Sequence, residues 1–291
     1  MGMIIPCQRS ESCSKKTVLR NGRFYRRSES RWIQRYKCRS CGSQFSAATG
    51  TLEFKQKKRR VNMPLFLNLS SGMSMRRCAR VLRIDRRTVD RKLVYLAKKA
   101  KLAQQEFLAS IRGTVANLEF DDLITNEHTK MKPLTVSLAV DADRRFILGA
   151  VVGKIPASGL LAEKSRRKYG LREYELPRTL HELFKTITPT ISKTATIRSD
   201  MHKAYAEVVK RFLPGLRYDQ FEGGRAAIAG QGELKRKRFD PLFCLNHTCA
   251  MLRANINRLI RKTWCVTKRP DRLQMHIDIF THFYNLTYLQ K

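Results

Sequence analysis

Two cysteines two residues apart, in the run Tyr36-Lys37-Cys38-Arg39-Ser40-Cys41-Gly42, narrow most sharply what this chain can fold into, because a second pair, Cys7 and Cys13, stands upstream of them. Four thiolates can close a tetrahedral metal site, and a Cys-x2-Cys followed by glycine is the form of a zinc knuckle. Phe24, Tyr25, Trp32, Ile33 and Tyr36 lie between the pairs among many arginines. They supply the small hairpin of a zinc ribbon, with Cys7, Cys13, Cys38 and Cys41 as Zn2+ ligands. The first pair is spaced more widely than most ribbons have it. Eight cysteines with this spacing read as metal-bound thiolates in a reducing compartment rather than as a disulfide framework.

Charge narrows the partner. The first hundred residues hold 26 Lys and Arg against 5 Asp and Glu, within a formal net charge of +35 for 291 residues. Such a chain repels itself unless a polyanion neutralises it, and double-stranded DNA is the expected polyanion. A hydrophobic content of 42% argues against a disordered basic tail. No apolar run approaches the roughly 18 to 20 residues that span a bilayer, and Met1 to Pro6 is too short for a signal peptide. The expected location is the cytoplasm of a bacterium, in association with the nucleoid.

Three modules are expected: a zinc ribbon over 1–60, a helix-turn-helix with its linker over 61–112, and a third domain over 113–291. Ser74 reads as an N-cap, and Cys78, Ala79, Val81 and Leu82 follow at helical spacing. Asp85 caps a second helix whose buried stripe is Val89, Leu93 and Leu96. That leaves Arg86, Arg87, Asp90 and Arg91 facing out near its start, where a recognition helix meets DNA.

Beyond residue 113 the pattern alternates between strand and helix. Residues 117–123, 134–141 and 145–152 read as three antiparallel strands, the last two joined by a turn at Asp141-Ala142-Asp143. A helix over 178–186, a strand over 194–199 ending in Asp200, a helix over 203–213, a strand over 216–221 and long helices over 241–263 and 270–288 follow. This order suggests an α/β, ribonuclease-H-like mixed sheet. Such a fold supports phosphoryl transfer when acidic groups at neighbouring strand ends hold divalent ions. Asp121 and Asp200 are candidates, with Asp122 competing for the first place because a central strand is buried on both faces.

These residues together resemble the transposases of the insertion-sequence-one family and its relatives. The likeness spans the knuckle from Arg35 to Gly42, the helix-turn-helix, the strand Leu118-Glu119-Phe120-Asp121-Asp122, Ser199-Asp200-x4-Tyr205, and the run Leu252-Arg253, Ile256, Arg258-Leu259, Arg261-Lys262-Thr263-Trp264-Cys265. The resemblance implies a DDE enzyme that cuts the ends of its element and joins them to target DNA with Mg2+ (or Mn2+), Asp121 and Asp200 being the first two metal ligands. A homodimer or higher oligomer on DNA is expected. The family's catalytic glutamate falls on Asn246, whose amide carries no anionic charge, though its carbonyl oxygen can coordinate. His247, Asp240, Glu222 and Glu233 are the candidate substitutes, while Asp240-Pro241 also reads as an N-cap with proline at the first helical position. Arg253, Arg258, Arg261 and Lys262 are expected to hold DNA phosphates. Two rival readings are a catalytically impaired DNA-binding repressor or adaptor, and a nuclease without strand transfer.

Overall fold

The computed structural model of the chain describes residues 7, 13, 18–27, 30–222, 240–260 and 265–288. They divide into two units, Met1–Leu65 and Phe66–Lys291.

In the first unit, β1 (Val18–Arg26), β2 (Arg31–Cys38) and β3 (Gln44–Ser46) form an antiparallel sheet in the order β1-β2-β3. Opposite residues include Phe24 with Ile33 and Tyr25 with Trp32. The turn after β2 is tied by Gly42 N–H donating to the Cys38 carbonyl at 3.0 Å and Cys38 N–H donating to Ser43 at 3.0 Å. Gly42 takes φ +69° there, a left-handed conformation that a residue with a Cβ adopts at a penalty. Among the described residues the cluster around the thiols is small, Cys7, Cys38 and Phe45 with Val18, Cys13 and Tyr36 against them, and in so small a core cross-linking through a metal adds to stability.

The second unit begins with helices. The boundary falls within α1 (Asn62–Ser70), which α2 (Met75–Val81) and α3 (Arg86–Ser110) follow. Ser74 Oγ accepts from Arg77 N–H at 3.3 Å, and Asp85 Oδ1 accepts from Arg87 N–H at 2.7 Å, so both N-caps form where the sequence places them. Val89, Leu93 and Leu96 are buried on α3, while Val81 is exposed, against its expected place in the apolar set. Asp90 does not simply face solvent, because Arg272 donates to its Oδ2 at 3.2 Å.

A mixed five-stranded sheet follows, in the order β6-β5-β4-β7-β8. Its strands are β4 (Val115–Asn126), β5 (Pro133–Asp141), β6 (Ile147–Lys154), β7 (Ile191–Asp200) and β8 (Arg217–Phe221). The β4–β5 and β5–β6 pairs are antiparallel, and β7 joins β4 and β8 in parallel. The helices are α4 (Ala162–Tyr169), α5 (Leu176–Ile187), α6 (Lys203–Phe212), α7 (Phe243–Asn255) and α8 (Pro270–Phe283). One core packs Leu118 and Phe120 of β4 against α5 and α6; the other packs Leu123 with Leu138 and Val140 against Leu245 and Leu252 of α7 and Ile277 of α8. Close approach of α5 depends on glycine in β6, since a Cβ on Gly149 would lie 2.8 Å from Leu183 Cδ1. The architecture is thus α/β, with a small antiparallel sheet in the first unit and a mixed five-stranded sheet in the second.

Two helical expectations change. The helix expected over 241–263 spans Phe243–Asn255, and Ile256 has left it with φ −106° and ψ 106°. Pro241 precedes the helix rather than occupying its first position. Asp240 instead caps a turn, its Oδ1 accepting from Leu242 N–H at 3.0 Å.

Candidate active site and cysteine cluster

Alternation along β4 sends successive side chains to opposite faces. Glu119, Asp121 and Leu123 therefore point to the side covered by α7, and Leu118, Phe120 and Asp122 to the side of α5 and α6. Glu119 pairs with Arg198 across the parallel β4–β7 ladder, and continuing that register by two residues sets Asp121 level with Asp200 at the end of β7.

Asp121 is half-buried, and its carboxyl is pushed up to about 6, first by burial. The backbone N–H of Asp122 opposes this shift, and the neighbouring charge of Asp200 adds to it. Asp122 is also raised by burial, against the hydroxyls of Ser137 and Thr135, which donate to its Oδ1 at 2.6 and 2.8 Å. Tyr205 of α6 links the two carboxylates, with its hydroxyl 3.0 Å from Asp121 Oδ1 and 2.8 Å from Asp122 Oδ2. Burial and these two acids hold its phenol well above the usual range. Asp200 Oδ1 accepts from His202 N–H at 3.0 Å, and His202 Nδ1 accepts from Ala204 N–H at 3.3 Å, a pair of turns that starts α6 beside the strand end.

The third position is different in kind. Asn246 is exposed on α7, and its Nδ2 donates to Asp240 Oδ2 at 2.9 Å. His247 is half-buried and stacks on Phe243 at 6.0 Å. Asp121, Asp200 and His247 do not bring three ligand atoms within 4.8 Å of one another; among the described residues the four cysteines do. Glu222 is exposed, and Glu233 lies outside the described residues.

The cysteine cluster brings the Cys7 and Cys41 sulfurs to 3.6 Å and those of Cys13 and Cys38 to 3.5 Å. All four lie within 4.8 Å of one another. A tetrahedral ion with Zn–S bonds of about 2.3 Å requires sulfurs about 3.8 Å apart, so the cluster fits a metal such as zinc. The backbone N–H of Cys41 is the main influence bringing the Cys38 thiol down to about 6, which favours the thiolate a metal needs.

Comparison with protein-family models and with curated proteins returns no match.

Arg86, Arg87 and Arg91 are exposed at the start of α3. Arg253 is half-buried on α7. Arg258, expected to hold a DNA phosphate, lies past the end of α7, is half-buried and donates to Met75 Sδ at 3.6 Å, and burial lowers its pKa. Arg261 and Lys262 lie outside the described residues. No helix among the described residues is long and apolar enough to cross a membrane.

Sequence reasoning missed Glu119. Its buried carboxyl accepts from Leu245 N–H at 3.0 Å, with the Arg198 guanidinium 4.0 Å from its other oxygen. It anchors the first turn of α7 to the strand that carries Asp121. The signal was there in the i, i+2 spacing of Glu119 and Asp121, which puts two acids on one face of a central strand.

Proposed function

We propose that this chain is a DNA transposase of the DDE type, similar to the insertion-sequence-one family, which cuts the ends of a DNA element and joins them to a target. The reading is carried by the parallel β4–β7 register, which sets Glu119 opposite Arg198 and, continued by two residues, Asp121 level with Asp200, whose charge helps to raise the Asp121 carboxyl. The strand order supports it: three antiparallel strands with two parallel ones added beside the first is the order of a ribonuclease-H-like domain. The exposed arginines of α3 support a DNA partner, which a homodimer or higher oligomer would hold.

Mg2+ binds through one or two carboxylates and completes its shell with water and phosphate oxygens. Asp121 and Asp200 would be the carboxylates that hold one such ion; Asn246 offers no third carboxylate for a second. A bound Mg2+ or Mn2+ would offset the negative charge of a DNA phosphate. Tyr205 orients Asp121 by its hydrogen bond, and Arg86, Arg87 and Arg91 hold the duplex through phosphates and base edges.

The test combines the full chain, Mg2+ or Mn2+, pre-cut DNA ends taken from the flanks of the gene, and a supercoiled target. Joining is expected, and Asp121→Ala or Asp200→Ala should abolish it while duplex binding survives. Cleavage without joining would make the protein a nuclease. A second reading, a catalytically impaired DNA-binding repressor or adaptor, is favoured by the Asn246 amide bonded to Asp240. Tight binding with neither cleavage nor joining, together with activity gained in Asn246→Glu, would establish that reading.

A further inference from the structure

The end of the β1–β2 hairpin carries two large aromatic side chains that the core of its unit does not use. Tyr25 and Trp32 stand directly opposite one another, with ring centroids 5.5 Å apart at an interplanar angle of 63°. Trp32 is 65% exposed and Tyr25 49%. A cross-strand aromatic pair stabilises a hairpin modestly, but that role asks for no such exposure, and the apolar residues around the cysteines are Val18, Tyr36 and Phe45.

The surroundings specify a partner. β1 and β2 carry Arg20, Arg23, Arg26, Arg31, Arg35 and Lys37 and no acidic residue. The Arg26 and Arg35 guanidiniums lie 5.6 and 5.7 Å from the Phe24 ring centroid. Phe24 and Tyr25 are adjacent in the strand, so the arginine-covered ring and the exposed pair occupy opposite faces. A strand pair of this charge repels a basic protein partner and attracts a phosphate backbone. In a duplex the faces of the bases are already stacked on one another. Exposed aromatic rings beside phosphate-binding cations suit a strand whose bases are free to stack on them.

We infer that the hairpin is a stacking platform for single-stranded DNA, with Tyr25 and Trp32 taking unpaired bases and Arg20 and Arg23, which the register sets on the same face, taking the phosphates. The inference rests on the DNA reading above and adds to it that the ribbon engages a melted or resected end while α3 engages duplex.

The probe is oligo(dT) of about 20 nucleotides, long enough to span a single-strand site, set beside a blunt duplex and an oligo(U) of equal length, with full-length zinc-loaded protein. Tyr25→Ala with Trp32→Ala should weaken oligo(dT) binding about tenfold, leave duplex binding and zinc content unchanged, and leave Trp32→Phe close to wild type. The chain holds two tryptophans, Trp32 and Trp264. Oligo(dT) should quench wild-type fluorescence, and the quench should vanish in Trp32→Phe, a variant that keeps the ring and the fold. Equal losses on duplex and single strand would overturn the proposal, as would a quench that survives in Trp32→Phe or tighter binding to oligo(U). Arg86→Ala with Arg87→Ala should do the reverse, weakening duplex alone. A protein that joins DNA ends without the quench would sink this inference and leave the transposase reading standing; one that shows the quench but neither cuts nor joins DNA would do the opposite.

Discussion

His276 and Asp278 stand two residues apart on α8 and titrate with opposite signs. Burial, reinforced by the charges of Arg258 and Arg272, brings the His276 imidazole down to about 3 from an ordinary 6.5. The folded chain therefore refuses a proton that the unfolded chain accepts, and stability falls as pH drops through 6.5 towards 3. From pH 7 to pH 5 this group alone costs about 2 kcal/mol. Asp278 is pushed up to about 6 by burial, opposed by the Gln274 amide that donates to it at 2.8 Å. The folded chain keeps a proton that the unfolded chain has released, so this contribution is lost as pH rises from 3.8 to about 6. Urea midpoints across pH should separate the two. His276→Leu should lose less stability than wild type between pH 7 and 5, and Asp278→Asn should steepen the loss as pH falls from 6 to 4, because in wild type the two groups oppose one another there. Identical pH slopes in wild type and His276→Leu would contradict a neutral buried imidazole. Neither shift was legible in the sequence, where His276 is one of six histidines without ligand spacing; burial by two other segments sets its environment.

Among the elements, α7 depends on a partner that the sequence does not advertise. The first N–H groups of a helix need acceptors, and Glu119 supplies one to Leu245 from inside the sheet. Glu119→Gln keeps an acceptor of the same shape and should be nearly neutral at pH 7, while Glu119→Ala should destabilise by about 1 to 3 kcal/mol by leaving a buried N–H unpaired, as read by thermal unfolding. Richness in Val, Ile, Leu and Phe, rather than alternation, was enough to find β4, β5 and β6, since β5 is buried at every position. The apolar pattern overran α7, since Ile256 and Leu259 are buried as a continuing helix would bury them although the backbone has already turned. α4 left no trace in the pattern: of Ala162–Tyr169 only Ser165 is buried, so no apolar stripe marks it. Asp121 and Asp122 could not be told apart without knowing which helix covers which face. The cysteines were legible, because ligand spacing is local. Removing the metal tests that element: a strong chelator, or Cys38→Ser, should abolish the circular dichroism of β1–β3 and leave the five-stranded sheet folded. An unchanged spectrum with the metal gone would mean that the small core suffices alone.

Across the whole molecule, charge is distributed unevenly between the two units. Residues 1–65 hold 16 Lys and Arg against 3 Asp and Glu, and residues 66–291 hold 43 against 21, so the first unit carries about twice the net charge per residue of the second. Affinity for DNA then has two sources whose salt dependence can be dissected. Each phosphate neutralised on duplex releases counterions and adds about −0.9 to the slope of log K against log salt. Arg86 and Arg87 are exposed at the start of α3 with their backbones fixed by the Asp85 cap, so both are free to contact phosphate or base edges. If both contact phosphate, Arg86→Ala with Arg87→Ala should flatten the duplex slope by about 1.8. If one reads a base instead, the slope changes by about half as much, and discrimination between duplex sequences falls at one position. The Cys38→Ser variant bears on the other unit: loss of its fold should remove the hairpin arginines from their register and flatten the slope measured on single strands, where each phosphate counts about −0.7. A duplex slope unchanged in the α3 variant, measured by anisotropy between about 50 and 200 mM salt, would mean that this helix does not meet the DNA backbone, and the polyanion would then have to be held by the remaining positive charge of the chain.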